Sequence, residues 1–266
     1  MQLVPIDDID DSRIESYRAV RERDVAGRDQ AFILEGEVVL AAFAKAARHE
    51  LASVLLADKR VGKLTPVLEA LPPAPIYVAP QAVLDGIVGF HIHRGVLALG
   101  RRAAPRPATD LIRALKPDAV VMVLMGISNH DNIGGLFRNA AAFGVDAVLL
   151  DAACCDPLYR KAIRVSVGGA LRTPFAWLAP SEDPIALLEQ QGFRCLALSP
   201  GGSDLLSDVR RAGRTALFLG AEGPGLSQAI LSRAEAVAIP MAEGFDSLNV
   251  ATASGIALNQ IVNPSR

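Results

Sequence analysis

The chain is short of the groups that most binding chemistries need in number. It has three cysteines, two of them adjacent at Cys154 and Cys155 and none in CxxC spacing, which suits neither a disulfide framework nor a thiolate zinc site. Its four histidines are scattered apart from His91 and His93, and no metal site is legible among them. The longest apolar run, AVVMVLMGI at 119–127, falls well below the roughly 18 residues a membrane-spanning helix needs. The opening MQLVPIDDIDD is acidic where a signal peptide is basic and carries no apolar core, so a soluble cytoplasmic protein without a membrane partner is expected. An excess of either charge is also lacking: the net charge of −2 and a pI near 6.1 argue against coating nucleic acid by bulk electrostatics, leaving only local basic patches. What remains is an ordinary globular composition, 51% apolar and 21% charged over 266 residues, enough for one large or two modest cores.

The stretch RRAAPRPATD at 101–110 is rich in Pro, Ala and Arg and separates two halves of different texture, as an interdomain linker does. Before it, an amphipathic helical stretch over about 11–26 leads to strand-like AFILEG, helical EVVLAAFAKAARHE, short strands in LASVLLAD and APIYVA, a brief helix in PQAVLDGIVG and a closing strand in GVLALG. This alternation predicts a small α/β layer domain over 1–104. After the linker, continuous apolar runs such as AVVMVLMG, VDAVLLD, FRCLALS, TALFLG and AVAIPM alternate with helical stretches. Strands of that kind predict a parallel sheet covered on both faces, over 105–266, with ligands at the carboxyl ends of the strands.

Three strand-to-helix turns in the second half have unusual polar content. In GISNHDNIGGLFRNA, Asp131 or Asn132 is suited to cap the following helix, Gly134 and Gly135 permit close approach, and Arg138 follows further in. Taken alone, Arg138 is as well explained as a surface cation with a carboxylate partner. In FLGAEGPGLS, three glycines and a proline crowd around Glu222, marking a preshaped loop with open backbone groups, or simply a tight turn with a helix-start acid. In EGFDSLNV, Ser247 or Asn249 is suited to cap the last helix, whose Ala251, Ala253, Ser254 and Gly255 form an unusually small face.

In this order, NIGGLFRNAAAFG, LFLGAEGPGLS and IPMAEGFDSLNVATASGIAL resemble the three signature motifs of the SpoU (TrmH) family of RNA ribose 2'-O-methyltransferases, in the SPOUT superfamily. FILEGEVVL and HRGVLALG resemble, more weakly, an auxiliary RNA-binding domain of the ribosomal protein L30e type. The resemblance implies a C-terminal trefoil-knot domain, an S-adenosylmethionine (AdoMet) cofactor and a homodimer acting on RNA, ribosomal RNA ahead of transfer RNA. It assigns the catalytic positions to Asn132, Arg138, Glu222, Ser247 and Asn249. It places the cofactor on Leu198, Ser199 and Pro200, on Gly220, Ala221, Gly223 and Gly225, and on Ile239, Met241 and Leu248. Arg94, with Arg23 and Arg28 near the N-terminus, would then touch RNA. Two positions depart from the family pattern: Asn139 stands where Thr or Ser is usual, and ATASG replaces a commoner SVAAG.

Methyl transfer to a ribose hydroxyl is an in-line displacement that also removes a proton. An arginine guanidinium stays charged in water, so Arg138 is expected to hold a phosphate and stabilise developing alkoxide charge rather than act as a literal base. Two other readings are open: an RNA-binding protein without catalysis, and a doubly wound dehydrogenase. The latter is disfavoured because GISNHDNIGG lacks GxGxxG spacing; Asp151 would be its nearest ribose-binding acid.

Overall fold

The computed structural model describes residues 2–18, 30–89, 95–210, 213–245 and 247–263. The chain forms two compact units, Met1–Ala104 with Leu158–Arg172, and Pro105–Pro157 with Thr173–Arg266. The segment Leu158–Arg172, expected in the second half, instead packs into the first unit.

The first unit holds β1 (Leu3–Pro5), β2 (Ala31–Glu35), α1 (Glu37–Ala46), β3 (Glu50–Ala57), α2 (Val61–Glu69), β4 (Ile76–Ala79), α3 (Gln81–Val88) and β5 (Val96–Arg101). Its sheet runs β1-β4-β3-β5-β2. Both β2 and β3 lie antiparallel to β5, while β1 and β3 lie parallel to β4. The helix expected over 11–26 is, in its described part, a 3₁₀ segment at Ser12–Tyr17, capped by the Asp11 carboxylate. Tyr17 from that segment is fully buried, and its hydroxyl meets Ser53 Oγ at 2.7 Å.

The second unit begins with α4 (Ala108–Arg113), β6 (Val120–Met125), α5 (His130–Phe143) and β7 (Ala147–Leu150). The chain then supplies α6 (Arg160–Val165) and α7 (Gly169–Arg172) to the first unit. It returns with β8 (Phe175–Trp177), α8 (Pro184–Glu189), β9 (Arg194–Leu198), β10 (Asp204–Leu205), β11 (Thr215–Gly220), α9 (Gln228–Leu231), β12 (Glu235–Ala238) and α10 (Val250–Val262). Seven strands in the order β10-β12-β9-β11-β6-β7-β8 form one sheet whose recorded pairings are all parallel. The central strands are apolar along their length, and β6, β7 and β11 are buried almost throughout. A strand that presents both faces to helices needs such a sequence.

Sequence periodicity missed α2, which carries Pro66 inside it, and the two-residue β10. It also overextended α9, which is a single turn. No helix among the described residues is long and apolar enough to cross a membrane. Arg23, Arg28 and Arg94 lie outside the described residues.

Candidate active site

The carboxyl ends of β6, β9, β11 and β12 are where the polar turns leave the sheet. After β6 the chain turns at Gly126, in a left-handed conformation with φ +71°, and enters α5. The cap of α5 is Asn129, whose Oδ1 accepts the Asp131 N–H at 2.8 Å. Neither Asp131 nor Asn132 has the capping role expected of it; one residue type served as well as another in that polar run. Released from capping, Asn132 sits within the first turns of α5, buried at 8% exposure.

After β11 the chain folds back sharply, with Gly225 N–H donating to the Ala221 carbonyl at 3.1 Å. Gly220 permits this, since a Cβ there would lie 2.5 Å from the Leu226 backbone nitrogen. After β9, Gly202 lets the Ser199–Gly202 turn lie against β12, where a Cβ would lie 2.7 Å from Ala238 N. Both glycines therefore mark backbone-on-backbone contact.

The third turn ends on Asn249, which caps α10 by accepting the N–H groups of Ala251 and Thr252 at 3.0 and 3.3 Å. The same side chain does more than cap. Asn249 Nδ2 donates to Asn132 Oδ1 at 2.8 Å and to Glu222 Oε1 at 3.0 Å, and Asn132 Nδ2 donates to Glu222 Oε1 at 3.1 Å. One residue from each turn thus enters a single network, centred on an acceptor-only carboxylate with two amide donors.

Beside this network the turns after β9, β11 and β12 enclose a cavity of about 370 Å³, within the usual range for small-molecule sites. Its lining includes Leu198, Ser199, Pro200, Gly220, Ala221, Gly223, Gly225, Ile239, Met241 and Leu248, so every position expected to hold a cofactor faces one space. Glu222 and Ser247 line it as well. Leu219, Val250 and Ala253 also contribute and were not anticipated. Ala253 was legible as the residue one helical turn beyond Asn249; Leu219 is hidden inside an ordinary apolar strand.

Arg138 is placed differently. It is exposed, does not line this cavity, and makes no hydrogen bond or ion pair with the described residues. Its neighbour Asn139 instead faces α10, donating from Nδ2 to the Ala251 carbonyl at 2.6 Å and to Ser254 Oγ at 2.9 Å. One turn earlier, Gly135 meets α10 so closely that an added Cβ would lie 2.6 Å from that of Ala251. The small-residue face of α10 is thus used within the unit, against α5.

Asp151, the acid a dehydrogenase would need, is occupied in a turn. Its carboxylate accepts the N–H groups of Gly126 at 3.0 Å, Ala153 at 3.1 Å and Cys154 at 3.0 Å. Cys154 is buried among these groups, and burial pushes its thiol up to about 12, so it is no nucleophile. Among the described residues no cluster of His, Cys, Asp and Glu could hold a metal ion.

Residues 119–259, which hold all three turns, match the model of the SpoU rRNA Methylase family. An uncharacterized tRNA/rRNA methyltransferase of Mycobacterium bovis is 38% identical over 260 residues, covering 94% of this chain and 88% of the relative. The chain belongs to the SpoU rRNA methylase family, a family of RNA methyltransferases. Among solved structures, an AdoMet-bound rRNA methyltransferase from Sinorhizobium meliloti superposes with TM-score 0.82 at 20% identity, covering 98% of both chains. An RNA 2'-O ribose methyltransferase superposes with TM-score 0.78 at 25% identity, covering 97% of this chain and 98% of the other. The α/β fold with its parallel sheet is therefore that of SpoU methyltransferases along nearly the whole chain.

Proposed function

We propose that this SpoU family member methylates a ribose 2'-hydroxyl in structured RNA, ribosomal RNA ahead of transfer RNA, in the cytoplasm and with AdoMet as donor. The observation that carries it is the convergence of the second and third motif turns, with the turn after β9, on one cavity that Glu222 lines, while Asn132 and Asn249 hold Glu222 from beside it. The cavity also fits the group. Its walls include the close-packed turn that starts at Gly220, with apolar surface from Leu198, Ile239, Met241 and Leu248. That mixture suits a molecule with a flat base, polar ribose and charged tail. When bound, the cofactor supplies a methyl group activated on a sulfonium.

The chain's own residues would then hold the acceptor. Ser247, at the cavity wall and exposed, is placed to orient the ribose. Asn132, Glu222 and Asn249 fix the second and third turns relative to α5, so that cavity and acceptor keep one geometry. Arg138 would bind the adjoining phosphate and stabilise charge developing on the 2'-oxygen. Because Arg138 does not line the cavity of its own chain, that role calls for a homodimer, in which the Arg138 of one protomer serves the cavity of its partner. The passage from β12 through the third turn to α10, packed on α5, is where the trefoil knot implied by the family pattern would be tied. The first unit would recognise RNA shape, which suits a substrate whose reactive nucleotide lies in a loop or bulge.

The test is transfer of radiolabelled methyl from AdoMet to total ribosomal RNA and, separately, to total transfer RNA. The expected result is label in ribosomal RNA, on ribose, lost in Arg138→Ala and strongly reduced in Arg138→Lys, which keeps the charge without the planar fork. Mixing Arg138→Ala with a cavity-blocked Gly220→Val protein should restore part of the activity if sites are shared between protomers. Full activity in Arg138→Ala would overturn the assignment.

A further inference from the structure

One end of the first unit's sheet gathers several positive groups. α1 ends at Ala46, and Ala47, Arg48 and His49 lead into β3; β5 ends at Arg101, and Arg102 follows. Register brings these segments together, because Arg101 pairs with both Glu50 and Ala31, and the Arg102 N–H donates to the Gln30 carbonyl at 2.7 Å. His49 is held in place by an edge-on contact with the Phe32 ring at 5.1 Å. The Ala103 N–H donates to His49 Nδ1 at 3.2 Å. That bond fixes the tautomer: Nδ1 accepts, so the proton of the neutral ring is on Nε2.

Two donors at this place have nothing to donate to. His49 Nε2 and Arg48 Nη1 are both buried without a hydrogen-bond partner. A half-buried guanidinium lacking an acceptor is costly, and folded chains seldom keep one beside other cations unless something else offsets it. The repulsion is real: burial first, then Arg48 and Arg102, push the His49 pKa down to about 4, and burial also lowers that of Arg48. The backbone is strained here too. Gln30 and Ala47, at φ +58° and +48°, occupy the left-handed region without being glycine. Strain and unpaired donors of one sign, concentrated together, mark a place that an anion can satisfy once these side chains turn outward.

We propose that Arg48 and His49, with Arg102 beside them, bind a backbone phosphate of the RNA substrate, and this rests on the RNA methyltransferase reading above. The two non-bridging oxygens of a phosphodiester each accept more than one hydrogen bond, enough for the Arg48 fork and the His49 Nε2–H at once. Both side chains are only partly buried, so the anion reaches them through side-chain rotation. The site reads no sequence; it fixes the position of structured RNA on the first unit.

The experiment measures binding of radiolabelled ribosomal RNA to the full chain between about 50 and 200 mM KCl. Wild type, Arg48→Gln, Arg48→Lys and His49→Ala are compared, with AdoMet affinity and chemical unfolding measured in parallel. Arg48→Gln should weaken RNA binding about five- to tenfold and reduce the slope of log K against log salt by about one. AdoMet affinity should be unchanged, and the unfolding midpoint unchanged or higher, since an unpaired buried donor is removed. Arg48→Lys should keep the salt slope and lose part of the affinity, and His49→Ala should show the smaller loss. Inorganic phosphate should raise the unfolding midpoint of wild type but not of Arg48→Gln. Unchanged RNA affinity and salt slope in Arg48→Gln overturn the proposal, whether its midpoint is kept or lowered. Phosphate stabilisation without an RNA effect assigns the site to a free anion and overturns it equally. A wild type that takes up AdoMet but neither binds nor methylates RNA overturns the RNA reading itself, a result separate from this one.

Discussion

Asn249 has two duties that substitution can separate. Its Oδ1 caps α10 through Ala251 and Thr252, and its Nδ2 bonds Asn132 and Glu222. Serine can accept the same helix N–H groups but has no amide to reach the network; alanine can do neither. An N-cap of this kind is worth about 1 kcal/mol. Losing Nδ2 leaves the Asn132 carbonyl oxygen, on a residue only 8% exposed, without its donor, and removes one of two bonds to Glu222. Because Glu222 and Asn249 are themselves exposed, the network loss is set at about 1.5 kcal/mol rather than the larger figure for a buried charged bond. Asn249→Ser should thus destabilise the second unit by about 1.5 kcal/mol and Asn249→Ala by about 2.5 kcal/mol. The chain's single tryptophan, Trp177, lies on β8 of that unit, so urea unfolding followed by its fluorescence reports the relevant transition. Both variants should lose AdoMet affinity alike, because both free the third turn from the second. Equal stability of the two variants would show that the cap carries nothing. A serine variant within about 0.5 kcal/mol of wild type, with AdoMet affinity intact, would show that the network carries nothing.

Gly220→Ala forces a methyl group against the Leu226 backbone nitrogen, where no flexible side chain can yield. Calorimetry should show AdoMet affinity falling at least about tenfold as the loop opens, and full affinity would mean that the loop tolerates the shift. Glu35 is buried on β2 and bonds Arg160 Nη1 of α6 at 2.8 Å, with Arg164 at 3.8 Å. Glu35→Gln keeps one acceptor but removes the carboxylate charge that pairs with these guanidinium groups, costing about 2 kcal/mol and exposing 158–172 to trypsin at Arg160 and Arg164; unchanged digestion would refute the tether. His49, held near pKa 4 by burial and by Arg48 and Arg102, folds as the neutral ring. The unfolded chain takes up its proton from about pH 6.5 downward, so stability falls as pH drops from there towards about 4 and is constant below. Discounted for its partial exposure, the effect is about 1–2 kcal/mol. His49→Gln should flatten that window of the urea midpoint against pH.

Legibility followed the physics of each signal. The strands of the second sheet were plain because a parallel strand covered on both faces must be apolar throughout, as VVMVLM and TALFLG are. β10 was not, since two exposed residues, Asp204 and Leu205, pair with β12 through backbone alone. α2 was masked by Pro66, which normally ends a helix but is tolerated here at the sixth of nine residues. The packing of 158–172 on the first unit was invisible because it depends on long-range partners. Gly168 faces Ala42 at 2.5 Å from where a Cβ would stand, and Glu35 pairs with residues about 125 positions away. No local periodicity carries that information.

The site was more legible than its wiring. Glycine pairs and polar turn residues could be read at strand ends because each needs a backbone that only those residue types allow. Which amide capped which helix could not, since Asn129, Asp131 and Asn132 compete for one role within four positions and only the fold chooses. Its choice of Asn129 has a consequence for the chemistry. With Asn132 freed, its amide bridges Glu222 and Asn249, so the cap of α10, the loop after β11 and the first turns of α5 become one unit. Asn139, standing where a smaller hydroxyl residue is usual, ties the same two helices one step deeper by spanning to Ala251 and Ser254. A threonine at 139 would be too short to reach both, so Asn139→Thr should loosen α10 against α5 and weaken AdoMet binding, while a second change, Ala251→Ser, should not restore it. Retained affinity in Asn139→Thr would mean that the Gly135–Ala251 contact alone holds the helices in register.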